Sequence, residues 1–133
     1  MSSGGDMRDF QAVGRSVVMA QNGMCATSHP LAAQTAIAML QAGGNAVDAG
    51  VAAAMVLNIC EPQMTGLGGD CFALLRPAGA AHIIGLNASG RAPASANAAA
   101  LRAAGRSVLA ANEVDAVTMP GAVDGMVRMV EDH

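Results

Sequence analysis

Between Gly23 and Ala49 the chain carries two helix starts and one helix stop, and no other stretch restricts its fold so tightly. In Gly23-Met24-Cys25-Ala26-Thr27-Ser28-His29-Pro30-Leu31-Ala32, Ser28 has the type and position of an N-cap, its hydroxyl accepting from an orphan N–H of the first turn. His29 and Pro30 follow at early helical positions, where proline's missing donor does no harm. Gly43-Gly44 then stops the helix, because a left-handed residue past a helix end carries no steric penalty when it is glycine. The positive φ is expected at Gly44. Asn45 restarts the chain as N-cap, and Asp48 three residues on completes a variant of the capping box whose charge suits the positive helix end. The product is a helical hairpin with its corner written nearly residue by residue.

Along the rest of the chain the patterns are coarser. Residues 1–13 read as a disordered lead, small and polar over 1–9, ahead of one unit at 14–133. Short strands are expected at Val17 to Met19 and Met24 to Ala26. In the first helix Ala33, Ala36, Ile37 and Leu40 share a face, with Gln34 and Gln41 opposite. The second, Ala46 to Ile59, is apolar almost all round and reads as a central helix covered on most sides. It ends before Pro62, since the residue preceding proline is pushed out of the helical region. The runs Cys71 to Arg76 and Ala81 to Leu86, joined by a turn at Pro77 to Ala80, predict a β-hairpin. Ala94 to Ala104 predicts a helix stopped by Gly105. Val117 to Met119 predicts a strand leading into a final amphipathic helix from Gly121, with Val123, Met126, Val127 and Val130 on one face.

At 133 residues the length suits one domain. The composition does not suit an independent one. Trp and Tyr are absent and the aromatic residues are Phe10 and Phe72 alone, while Gly numbers 16 and Ala crowds positions 96–104. Alanine helices offer little apolar area and depend on close backbone packing against neighbours, so the chain reads as a piece of a larger fold. The net charge of −3, from 7 Arg and no Lys against 10 acids, is scattered and excludes the basic stripe of a nucleic-acid binder. Cys25, Cys60 and Cys71 show neither a disulfide framework nor zinc-site spacing and read as buried free thiols; no metal or organic cofactor is implied. The start lacks a basic segment followed by an apolar run, which gives a cytoplasmic expectation. No apolar stretch is long enough to cross a bilayer, so no membrane partner is expected.

Several polar groups invite a functional reading. Gly66-Leu67-Gly68-Gly69 lacks the lysine and spacing of a phosphate cradle and precedes a strand, so a close backbone approach is the better reading. His29 and His82 have no acid placed to orient either ring, which favours capping and packing over catalysis. Glu61 and Asp70 flank the glycine loop, and could pair or could hydrogen-bond the loop.

Five blocks in order, G-M-x-A-T-S-x-P-L-A from Gly23, G-G-N-A-x-D-A from Gly43, Glu61-Pro62 with Gly66-Leu67-Gly68-Gly69-Asp70, Arg91-Ala92-Pro93, and Val117-Thr118-Met119-Pro120-Gly121, resemble the gamma-glutamyltranspeptidase family. The resemblance implies an α+β fold, part of the αββα sandwich of N-terminal-nucleophile hydrolases, to which this chain supplies helices and part of one sheet. It also implies a substrate-binding arginine for the α-carboxylate, three residues before Ala-Pro. Ser89 stands at that position here, and Arg91 directly precedes Ala92-Pro93. In an extended segment a shift of two keeps the side chain on the same face, displaced by roughly 7 Å. Arg91 then still reaches a carboxylate bidentately, though in another pose; a solvated or salt-bridged loop arginine is the alternative. Family members cut themselves to expose a nucleophilic threonine with its own amine as base. Thr27, Thr35, Thr65 and Thr118 have no such setting, so no catalytic residue is expected in this chain.

The resemblance therefore implies an N-terminal fragment of a gamma-glutamyltransferase or hydrolase of glutathione-type amides. Its partners would be a small amide substrate and the remaining C-terminal part, the small subunit. Two alternatives stand beside it: an acylase or amidohydrolase of the same family acting on another small carboxylate-bearing amide, and a non-catalytic, alanine-rich association module.

Overall fold

The helical corner closes by the capping chemistry expected of it, with two changes of residue. The computed structural model describes residues 17–133, so the expectation for residues 1–13 lies outside the described residues. Helix α1 spans Pro30–Gln41 and α2 spans Ala46–Cys60. Asn45 Oδ1 accepts from the N–H groups of Val47 (2.7 Å) and Asp48 (3.2 Å), and Asp48 Oδ2 accepts from Asn45 N–H at 2.8 Å. This is the reciprocal capping box.

The N-cap of α1 is His29 rather than Ser28: its Nδ1 accepts from Leu31 N–H at 3.2 Å. The Ser28 hydroxyl donates instead to Glu61 Oε2 at 2.6 Å, where a carboxylate makes the stronger, charge-assisted bond. That bond joins the approach to α1 to the residue ending α2 and closes the open end of the hairpin. The positive φ falls at Gly43 (95°), not Gly44. With Ala42 as the cap, Gly43 N–H reaches Leu40 O at 3.1 Å and Gly44 N–H reaches Met39 O at 3.0 Å. This double closure puts the left-handed residue first after the cap.

The two helices meet along an alanine seam. Ala32 and Ala36 of α1 face Ala49 and Ala53 of α2, with Cys25, Leu40, Val56 and Leu57 partly buried around them. The expected face of α1 is right in direction, with Ala32 its deepest residue. Helix α2 is less covered than its composition suggested: Met55 and Ile59 remain exposed, and the buried amide Asn58 Nδ2 finds no acceptor. Small residues bring the backbones close on one side of α2, and among the described residues the C-terminal helix covers only part of the rest. The three cysteines are half-buried free thiols rather than buried ones.

Strands β1 (Cys71–Leu75) and β2 (Ile84–Ala88) pair antiparallel, from Cys71 opposite Ala88 to Leu75 opposite Ile84. The second strand thus begins and ends later than expected, leaving Ala81 to Ile83 in the loop. Cys71, Ala73, Leu75, Ile84, Leu86 and Ala88 line the half-buried face, whereas Phe72 and Leu74 are exposed on the other. Helix α3 is shorter than expected, Ala98–Ala103, because Asn97 caps it through Ala100 N–H at 3.0 Å; Gly105 stops it with φ 77°. A 3-10 turn at Val114–Ala116 follows, braced by Arg106 against Glu113 and Asp115. The strands expected at 17–19, 24–26 and 117–119 do not form. Each lacks a neighbouring ladder among the described residues, and β-propensity without a partner specifies nothing.

Helix α4 spans Ala122–Asp132 and packs against β1, β2 and α2. Its buried side is Ala122, Gly125 and Met126, while Val123, Val127 and Val130 are close to half exposed. The expected face is rotated because the contact centres on the residue with no side chain. A Cβ at Gly125 would lie 2.5 Å from Ala88 Cβ and 3.3 Å from Cys71 Cβ. The same approach explains the register, since it needs the small pair Cys71–Ala88 beneath the helix. No helix among the described residues is long and apolar enough to cross a membrane.

Gly43→Val should lower the thermal midpoint of the 133-residue protein, at a cost of about 1–3 kcal/mol for forcing a β-branched residue to positive φ. Gly66→Val, at a position with open space and no positive φ, should change it little. Equal midpoints in circular dichroism melts would remove the corner assignment.

Candidate functional site

Three separated segments meet where β2 ends. The glycine loop before β1 brings Gly69 and Asp70; the chain leaving β2 brings Ala88 to Arg91; the approach to α4 brings Thr118 to Gly121. Gly69 O accepts from the N–H groups of Gly121 (3.0 Å) and Ala122 (2.9 Å), so the loop's carbonyl satisfies two donors at the start of α4. The close backbone approach read from the glycines is real, and it centres on Gly69. Open space surrounds Gly66 and Gly68.

Asp70 Oδ1 accepts from Gly90 N–H at 2.8 Å and lies 3.5 Å from the Thr118 hydroxyl, which donates to it. One residue on, Arg91 O accepts from Met119 N–H at 3.0 Å. The backbone on both sides of the Gly90–Arg91 peptide is therefore held. Two glycines make room for this. A Cβ at Gly90 would overlap the Met119 carbonyl oxygen, and one at Gly121 would overlap that of Ala88. Neither glycine has a positive φ, so space alone demands them.

Arg91 is exposed, and its guanidinium meets no carboxylate among the described residues, in contrast to Arg106 and Arg128. Among the described residues the guanidinium is a solvated fork on an anchored backbone, with no salt bridge. Such a fork can take a carboxylate through two parallel N–H···O bonds. Ser89, also exposed, gives its N–H to Asn87 Oδ1 at 3.0 Å. Arg91 and Ser89 thus stand two residues apart on the same length of chain.

Glu61 and Asp70 do not pair. Each takes a loop role, Glu61 with Ser28 and Asp70 with Gly90. His29 caps α1, and His82 lies exposed in the loop between the strands. Three threonine hydroxyls are already donors: Thr35 to Leu31 O, Thr65 to Glu61 O and Thr118 to Asp70. No three His, Cys, Asp or Glu side chains gather as a metal site among the described residues. An apolar cleft of about 730 Å³ lies between α2, β1 and α4, lined by Val47, Val51, Ala54, Leu75, Met126 and His133 among others. Neither Arg91 nor Ser89 lines it. Sequence reasoning missed Gly90, Gly121 and Thr118 as parts of one junction. Their signal was present, as glycines beside Arg91 and Pro120, but only the fold shows that the two segments touch.

The family model for Gamma-glutamyltranspeptidase matches residues 32–133. Over 82 residues the chain is 39% identical to the glutathione hydrolase proenzyme of Bacillus subtilis, covering 62% of this chain and 14% of that protein. Over 107 residues it is 39% identical to the oxamate amidohydrolase proenzyme of Klebsiella pneumoniae, covering 80% of this chain and 20% of that protein. Among solved structures, the cephalosporin acylase from Bacillus halodurans is similar at a TM-score of 0.79 and 43% identity, across 96% of this chain and 24% of that one. The chain thus spans a fifth or less of the length of these two curated relatives.

Gly90→Ala should destabilise the protein by about 1–3 kcal/mol, because the added carbon forces the backbone at Met119 away. Gly68→Ala, where nothing lies within 4 Å, serves as its control. Comparable urea midpoints for the two variants would show that the junction is looser than described.

Proposed function

This chain belongs to the gamma-glutamyltranspeptidase family, and we propose that it is the N-terminal part of an amide-cleaving enzyme of that family, supplying a carboxylate-binding arginine but no nucleophile. Its helices and two-stranded sheet form part of the α+β fold of the N-terminal-nucleophile hydrolases. Uncovered apolar surface at Phe72, Leu74 and Ile59, and the unanswered amide of Asn58, support a role as part of a larger assembly. The observation that carries the substrate reading is the anchored guanidinium of Arg91, which meets no carboxylate among the described residues.

In this reading the substrate is a small amide bearing a carboxylate. Arg91 grips the carboxylate and so orients the amide toward a threonine contributed by the remaining part of the enzyme. That threonine attacks the carbonyl with its own amine taking the hydroxyl proton; the amide C–N bond breaks and the leaving amine departs with that proton. Water or an acceptor amine then cleaves the acyl-threonine ester and restores the hydroxyl. The committed hydroxyls of Thr35, Thr65 and Thr118 support placing the nucleophile elsewhere. The relatives named as proenzymes support a second subunit as the partner.

A second reading, an acylase or amidohydrolase for another small carboxylate-bearing amide, is favoured by Ser89 standing at the usual arginine position. The similarity to an oxamate amidohydrolase proenzyme and to a cephalosporin acylase supports it equally.

The isolated 133-residue chain should hydrolyse no gamma-glutamyl amide above a heat-killed control, and should gain amidase activity only when combined with the nucleophile-bearing part. Turnover by the isolated chain would refute the division of labour. In the combined enzyme, Arg91→Lys keeps the charge and loses the fork. It should raise KM for a carboxylate-bearing amide about tenfold and leave its carboxyl-free analogue nearly unchanged. An equal effect on both substrates would make Arg91 structural.

A further inference from the structure

The Gly66–Asp70 loop does two jobs at adjacent residues. Through Gly69 O it holds the N–H groups of Gly121 and Ala122 at the start of α4, and through the Asp70 carboxylate it holds Gly90 N–H at 2.8 Å. Asp70 is itself acyclic and exposed, so its side chain has other rotamers open to it. Its position is kept by three features: the backbone of Gly69 is locked under α4, Gly90 N–H donates to Oδ1, and the Thr118 hydroxyl donates to the same oxygen at 3.5 Å. No arginine pairs with Asp70 among the described residues. Its charge is answered by two neutral donors from the two segments that enclose Arg91.

We propose that Asp70 is a positioning residue: by holding Gly90 N–H, with Thr118 as second donor, its carboxylate sets where the Arg91 guanidinium meets the substrate carboxylate. The proposal rests on the reading of Arg91 given above. Gly90 is the residue immediately before Arg91, and as a glycine it has a wider choice of backbone conformations than a residue with a side chain. Without an acceptor on its N–H, the Arg91 side chain would swing with that freedom, since the Met119–Arg91 bond fixes only the far side of the peptide unit. A misplaced fork loses orientation more than charge. The consequence is therefore weaker capture of carboxylate substrates with little change at the reacting carbonyl.

Two measurements separate this role from a purely structural one. In the 133-residue protein, Asp70→Ala should speed hydrogen exchange at the Gly90 amide about tenfold, for the loss of one charge-assisted bond, while the α1 and α2 amides keep their protection. In the combined enzyme the same change should raise KM for the carboxylate-bearing amide about tenfold, hold kcat within about twofold, and spare the carboxyl-free analogue. Asp70→Asn keeps the shape and an accepting oxygen but loses the charge, so both effects should fall to about threefold. It carries the test if the alanine variant unfolds. An unchanged Gly90 amide overturns the proposal. So does an unchanged KM in an enzyme where Arg91→Lys raises it, and that result leaves the reading of Arg91 intact. If Arg91→Lys itself shows no substrate selectivity, both fall together.

Discussion

The absence of side chains at Gly90 and Gly121 is the constraint on which the rest of this structure depends. Two stretches of backbone, one leaving β2 and one entering α4, lie so close that a single carbon at either glycine would occupy the space of a carbonyl oxygen. The gap between them is bridged by backbone groups and by the carboxylate of Asp70, to which Gly90 N–H and the Thr118 hydroxyl both donate. From this junction follow the placement of α4 on the sheet, the satisfaction of its first N–H groups by Gly69, and the anchoring of Arg91. A larger residue at either position would separate all three.

Close approach is also how the molecule stabilises itself with so few large side chains. The seam between α1 and α2 is made of Ala32, Ala36, Ala49 and Ala53, and the contact between α4 and the sheet is centred on Gly125. Dispersion between tightly apposed backbones replaces the burial of aromatic rings, and it falls off within a fraction of an ångström. Such a design leaves much apolar surface unspent. Phe72 and Leu74 on the outer face of the hairpin, and Ile59 at the end of α2, are more exposed than residues of their kind are in a finished core. The chain spans a fifth or less of the length of the two curated relatives named above.

The site reading joins these facts to chemistry. An arginine without an acidic partner among the described residues is open to an anionic group, and its value depends on how firmly the backbone beneath it is held. Here firmness comes from a loop acid and a backbone bond on either side of one peptide unit. The two ion pairs of Arg106, by contrast, brace the segment up to Asp115, where they order a connection rather than a site.

The helical corner was legible in the sequence because capping is local: Asn45, Asp48 and the glycine pair act within a few residues of one another. Even there, which of two adjacent residues takes a role depended on distant groups, since Ser28 was drawn to Glu61 and left the cap to His29. The family was legible too, in five ordered motifs. By itself the sequence determined the two-helix corner, the existence of the hairpin and of α4, and the candidacy of Arg91. Only the tertiary structure decided that Gly69, Asp70, Gly90, Thr118 and Gly121 form one junction, that α4 turns its glycine rather than its valines to the sheet, and that the hairpin register follows the small pair Cys71–Ala88. The reason is physical. Hydrophobic periodicity ranks residues by how much they gain from burial, whereas close approach is set by how little space they take, and the second property shows only when two surfaces meet.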